Sequence, residues 1–123
     1  MKLHLANTAG INMFTAYDDD YVAVNHEKHL KNLILLPERI IHEWSPATVE
    51  TLTDGDMETL IALATGIILL GTGKRLRFPP AALMRPFAAA GIGLEIMDMR
   101  AACRTYNILA AEGRKVAAAL LFD

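Results

Sequence analysis

An α/β fold is the expectation for this chain of 123 residues, and three observations carry it. The amino-terminal half is rich in β-branched and aromatic residues between polar turns, the pattern of antiparallel strands. Two later runs, Ile67–Leu70 and Val116–Phe122, are apolar throughout, as in sheet strands covered on both faces by helices. Between them, the segment from Ile67 to Met97 reads as strand, helix, strand.

Met13–Tyr17 and Tyr21–Asn25 flank the triplet Asp18-Asp19-Asp20, which suits a hairpin turn. His29–Leu36 and Arg39–Trp44 continue as strands, separated by Pro37, whose missing amide hydrogen fits an edge or turn. After Ser45-Pro46 the apolar period lengthens, and Met57, Leu60, Ile61 and Ala64 share one helical face. The spacing predicts a helix over about Asp54–Ala64, with oxygens of Thr53, Asp54 and Asp56 for its first free amides and Gly66 as its left-handed end.

Ile67–Leu70 is then expected in the sheet interior. Pro79-Pro80 suits the first turn of a second helix, with Leu83, Met84, Phe87 and Ala88 on one face and Gly91 closing it. Leu94–Met97 follows as a strand parallel to the first, reached by a right-handed crossover. Asp98 caps a third helix, about Met99–Glu112, which buries Ala102, Cys103, Tyr106, Leu109 and Ala110 and stops at Gly113. Val116–Phe122 closes the sheet from an interior position. The length suits a single domain over 1–123, with its core at about 11–122.

Hydrophobic residues make up 53% of the chain and charged ones 21%, which argues against a disordered chain and leaves apolar surface for a partner. The formal charge of −2 gives no global attraction to nucleic acid or to an anionic membrane, so no nucleic-acid partner is expected. With Cys103 the sole cysteine, an intramolecular disulfide is impossible and a cytoplasmic location is the simplest expectation. The start, Met1–Asn7, turns polar too soon for a signal peptide. The longest near-apolar stretch, Leu60–Leu70, is broken by Thr65-Gly66 and falls short of the ~20 residues of a membrane span.

Ligands of open α/β sheets bind beyond the carboxyl ends of parallel strands. Gly71-Thr72-Gly73-Lys74-Arg75 sits at such an end. The glycines allow close backbone approach, Thr72 offers a hydroxyl, and Lys74, Arg75 or Arg77 supplies charge, so phosphate or carboxylate is the ligand class. The spacing is neither that of a P-loop nor that of a dinucleotide fingerprint. The competing reading is a tight turn whose glycines serve the backbone and whose cations are solvated. On the third helix, Thr105 and Asn107 are candidates to face a cleft, and Asn107 in a helix interior implies a specific hydrogen bond, structural or ligand-directed.

No catalytic set emerges. Cys103 lacks a base and reads as a small buried thiol. His4, His26, His29 and His42 have no metal-ligand spacing, and Asp18–Asp20 lack a calcium-loop pattern, so neither metal nor cofactor is expected. Arg100 and Arg104, one turn apart, form either a basic ridge or ordinary solvent-facing charges.

The series Leu69-Leu70-Gly71-Thr72-Gly73, Phe78-Pro79, Gly91-Ile92-Gly93-Leu94-Glu95-Ile96-Met97-Asp98 and Thr105-Tyr106-Asn107 resembles a small domain family of unknown function. That family includes mitochondrial complex I (NADH dehydrogenase) assembly factor 3, and the resemblance spans about Ile11–Phe122. It implies a three-layer α/β fold with a central mixed sheet, helices on both faces and an added antiparallel hairpin portion. It also implies one cleft lined by Gly71, Thr72, Gly73, Thr105 and Asn107, and a role exercised through protein partners, with function not following from fold alone. The leading expectation is a non-catalytic binding or assembly protein, with respiratory complex biogenesis as its setting. The alternative is a binding protein or enzyme for a small anion at Gly71–Arg75.

Overall fold

Odd and even positions of three apolar strands part company across a five-stranded sheet. A computed structural model describes residues 10–44, 46 and 48–122. Its larger sheet has the order β5-β4-β8-β6-β7, made of β4 (Leu33–Leu36), β5 (Arg39–Ile41), β6 (Ile67–Gly71), β7 (Gly93–Met97) and β8 (Val116–Leu120). β6 runs parallel to β7 and to β8, whereas β4 is antiparallel to β5 and β8, so the sheet is mixed.

Because side chains alternate with period two, Leu33, Leu35, Leu69, Val116, Ala118 and Leu120 face one core, and Ile34, Leu36, Ile68, Leu70, Ala117 and Ala119 face the other. The first core is closed by α3 (Met99–Ala111), through Met99, Ala102, Cys103, Tyr106 and Ala110, and by Phe14, Val22 and Val24 of a small antiparallel sheet. The second is closed by α1 (Asp54–Ile61) and α2 (Ala81–Ala89), through Met57, Leu60 and Phe87, with Trp44, Val49 and Leu52. Three layers result, as the resemblance implies, with helices on both faces.

The small sheet is β1-β2-β3, from β1 (Phe14–Tyr17), β2 (Val22–Val24) and β3 (Glu27–His29). The expected hairpin around Asp18–Asp20 is therefore extended by a third strand. The expected single strand His29–Leu36 is broken: His29 pairs with Val22 in the small sheet, and the chain crosses at Leu30–Asn32 into the larger one. Asn32 fixes that crossing, its side chain donating to Pro46 O (2.5 Å) and accepting from Phe122 N (2.7 Å). β5 likewise ends at Ile41, short of the expected Trp44.

Thr53 caps α1 by accepting from Asp56 N, and Asp98 caps α3 by accepting from Ala101 N, both as the sequence implies. α1 stops at Ile61, earlier than expected, and the left-handed residue after it is Ala64 (φ 56°) rather than Gly66. Gly66 is held elsewhere, donating to Lys115 O and accepting from Gly93 N at the start of the parallel ladder. Pro80 precedes α2 rather than opening it, and Gly91 and Gly113 take the left-handed conformation after α2 and α3.

Candidate functional site

The carboxyl end of β6 is a knot of main-chain bonds. Gly71 is still a ladder residue, opposite Met97 on one side and Leu120 on the other. A Cβ there would lie 2.8 Å from Leu120 Cδ2 and 3.2 Å from Ala102 Cβ, so glycine is required by close packing of β8 and α3. Its carbonyl accepts from Leu121 N at 2.9 Å.

Thr72 is fully buried and its polar groups are all engaged. Its amide donates to Met97 O (2.8 Å). Its hydroxyl donates to Arg75 O (2.6 Å), lies 3.3 Å from Met97 O, and accepts from Arg77 N (3.2 Å). Gly73 turns the chain with φ 87°, and its carbonyl accepts from Met99 N (2.8 Å), joining the turn to the first residue of α3.

The cations around the turn face carboxylates of this chain. Lys74 Nζ stands 3.6 Å from Asp20, Arg77 donates to Glu50 at 2.9 Å, and Arg100 meets Asp18 at 2.5 Å and Asp19 at 3.2 Å. Hydrogen bonding to Asp19, with the fields of Asp19 and Asp18, raises the pKa of Arg100. Asp18–Asp20 thus tie the β1–β2 turn to α3 and to the β6 loop, and Arg100 forms a clamp rather than a ridge with Arg104. Arg75 is exposed.

Thr105 and Asn107 are not brought to this turn. Asn107 lies eight residues beyond Met99, about 12 Å along a helix axis. Its carboxamide accepts from Phe14 N (2.9 Å) and donates to Phe14 O (2.8 Å), which commits it to β1. Thr105 is half-buried on the same helix. The Tyr106 hydroxyl donates to Asn12 O (2.9 Å), with its ring edge-on to Phe14 at 5.2 Å. Burial pushes the thiol of Cys103 up to about 12, so it carries little thiolate near neutrality. Among the described residues no group of three or more His, Cys, Asp or Glu is arranged to hold a metal ion. His4 lies outside the described residues.

Past the Thr72 knot the loop carries two large apolar side chains into solvent, Leu76 at 51% exposure and Phe78 at 64%. The sequence signal for them was available: neither belongs to an apolar period, and both stand among Lys74, Arg75 and Arg77 ahead of Pro79-Pro80. At the opposite end of β6 and β8 a cavity of about 490 Å³ opens between Glu38, Ala64, Thr65, Arg114 and Lys115.

This architecture is shared. The family described as "Protein of unknown function (DUF498/DUF598)" matches residues 14–121. The chain belongs to the DUF498/DUF598 family. A crystal structure of a protein from Bordetella parapertussis superposes with a TM-score of 0.86 at 38% identity, covering 94% of this chain and 98% of that one. A solution structure from Bordetella pertussis described as a Mth938-like domain gives a TM-score of 0.80 at 32% identity, covering 100% and 93%. Among sequence relatives, the human NADH dehydrogenase [ubiquinone] 1 alpha subcomplex assembly factor 3 is 27% identical over 108 residues, 86% of this chain and 58% of its own length. The "13 kDa major membrane protein" of Francisella tularensis is 30% identical over 73 residues, 59% of each chain. This DUF498/DUF598 chain therefore spans about three fifths of the length of those two relatives. Among its described residues no helix is long and apolar enough to cross a membrane.

Proposed function

We propose that the chain is a non-catalytic, assembly-factor-like protein that acts through a protein partner, and that the loop from Gly73 to Pro80 is the contact surface. The observation that carries the reading is the outward display of Leu76 and Phe78 on a loop whose base is fixed by buried Thr72. A rigid loop loses little entropy on docking, and large apolar side chains at its tip supply the contact area. Exposed Arg75 adjoins Leu76, so the fitting partner segment is apolar with an acidic neighbour. The relatives named assembly factor 3 support this class of role, and assembly of a respiratory complex is the setting we propose for it.

A small phosphate or carboxylate at Gly71–Arg75 has less support. The Thr72 hydroxyl is already committed, and Asp20 stands 3.6 Å from Lys74, where it would repel an anion.

The test replaces both apolar tips, Leu76→Ser with Phe78→Ser, in a tagged chain expressed in its own host. We expect an unchanged urea midpoint and loss of a partner that the parent chain co-purifies in stoichiometric amount. Retention of that partner by the double variant refutes the assigned surface.

A further inference from the structure

At the end of the larger sheet where β4 enters and β5 and β8 leave, two adjoining clefts of about 380 and 300 Å³ share the walls Leu30, Lys31, Asn32 and His42. The first is completed by Trp44, Pro46 and Phe122, and the second by Lys28 and His29. Asn32 holds this frame, since its carboxamide spans Pro46 O and Phe122 N and so joins the chain after Trp44 and the chain after β8 to the entry of β4. The rings of His29 and His42 stand 5.4 Å apart across the site, tilted 33° from one another.

Two nitrogens here are buried without a hydrogen-bond partner among the described residues: Trp44 Nε1 and His29 Nε2. Trp44 is 3% exposed. An indole N–H only donates, and burying a donor without an acceptor is costly, so the fold keeps an unmet demand for an acceptor at this place. The titratable side chains lining the clefts, among the described residues, are Lys28, His29, Lys31 and His42, with no carboxylate between them. Lys28 is steadied over the Tyr21 ring at 4.5 Å. The lysines and the unmet indole donor favour an anionic acceptor. The remaining walls, Leu30, Trp44, Pro46 and Phe122, are apolar, and Leu30 is 65% exposed at the lip. Arginine, whose fork matches phosphate bidentately, lines neither cleft among the described residues.

We infer that the double cleft beside Trp44 binds a small organic carboxylate, its apolar body against Trp44, Leu30 and Phe122 and its charge toward Lys31, His42 and the indole N–H. The clefts share no lining residue with the protein-contact loop, although Phe122 follows Leu121, whose amide donates to Gly71 O at the base of that loop.

Trp44 is the one tryptophan of the chain, so its indole N–H gives a single cross-peak in a nitrogen–proton correlation spectrum. The probes are benzoate, its neutral isostere benzamide, and inorganic phosphate, each titrated into the full chain at constant ionic strength. We expect benzoate to move the indole proton downfield along a saturable curve with a Kd on the order of 1 mM or tighter, and benzamide and phosphate to leave it in place. Lys31→Ala, an exposed substitution, should weaken benzoate by about two- to fivefold, and His42→Gln should weaken it further while leaving the rest of the spectrum intact. An indole peak unmoved by benzoate overturns the site. Equal movement by benzamide overturns the requirement for charge, and equal movement by phosphate overturns the carboxylate class. Unweakened benzoate binding in both variants overturns the placement.

Discussion

Asn107 of α3 pairs with the backbone of Phe14, 93 residues earlier, as a neighbouring strand would: it accepts from Phe14 N at 2.9 Å and donates to Phe14 O at 2.8 Å. One side chain thereby satisfies both main-chain groups of a β1 residue whose ring is buried in the core under α3. Asn107→Leu leaves both groups unpaired, and a loss of about 2–4 kcal/mol is expected in urea unfolding. Asn107→Asp keeps the acceptor and loses the donor, so its midpoint should fall between those of the parent and the leucine variant.

Gly71 has no room for a methyl group. With Leu120 Cδ2 at 2.8 Å and Ala102 Cβ at 3.2 Å from an added Cβ, Gly71→Ala should destabilise by about 1–3 kcal/mol through overpacking. Adding Leu120→Val vacates part of that space, and the double variant should lose less than the two single losses added together.

The hydroxyl of Thr72 holds the β6 loop by way of Arg75 O and Arg77 N. Thr72→Val keeps the shape and removes both bonds, at a cost of about 1–3 kcal/mol. Hydrogen exchange at the Arg77 amide should accelerate in Thr72→Val and stay near the parent rate in Thr72→Ser.

Cys103 makes stability fall at high pH. Its ordinary value of 9.0 is pushed up to about 12 by burial, so above pH 9 the unfolded chain releases a proton that the native chain retains. The contribution is complete below pH 9 and drains away as pH rises toward about 12. Burial also raises Tyr106, which acts in the same direction from its ordinary value of 10.0. Urea midpoints measured from pH 8 upward should decline less steeply in Cys103→Ala than in the parent. Thiol reagents at neutral pH should label Cys103 only when denaturant is present.

The helices and interior strands could be read from local signals. The apolar runs of β6 and β8 announce strands covered on both faces, and Thr53 and Asp98 mark the helix starts they do cap. What escaped was fixed by distant partners. The break at Leu30–Asn32 depends on Asn32 reaching Phe122, 90 residues away, and the demand for glycine at 71 comes from Leu120 and Ala102. Gly71, Thr72 and Gly73 were expected round one cleft with Thr105 and Asn107, but α3 carries Asn107 away from Gly73 and hands its carboxamide to Phe14. Leu76 and Phe78 were legible as apolar residues without a period, yet their exposure follows from the Thr72 bonds that shape the loop. The approach of His29 to His42 needed β4 and β5 to fold back on each other.

The most direct measurement of partner binding through the β6 loop is site-specific photocrosslinking in the native host, with a benzophenone side chain placed at Phe78 and, as control, at exposed Glu112. The expected result is one discrete protein adduct from position 78 that is absent from position 112 and disappears when Leu76→Ser is added. No adduct at 78, or the same adducts from both positions, contradicts a role exercised through this loop.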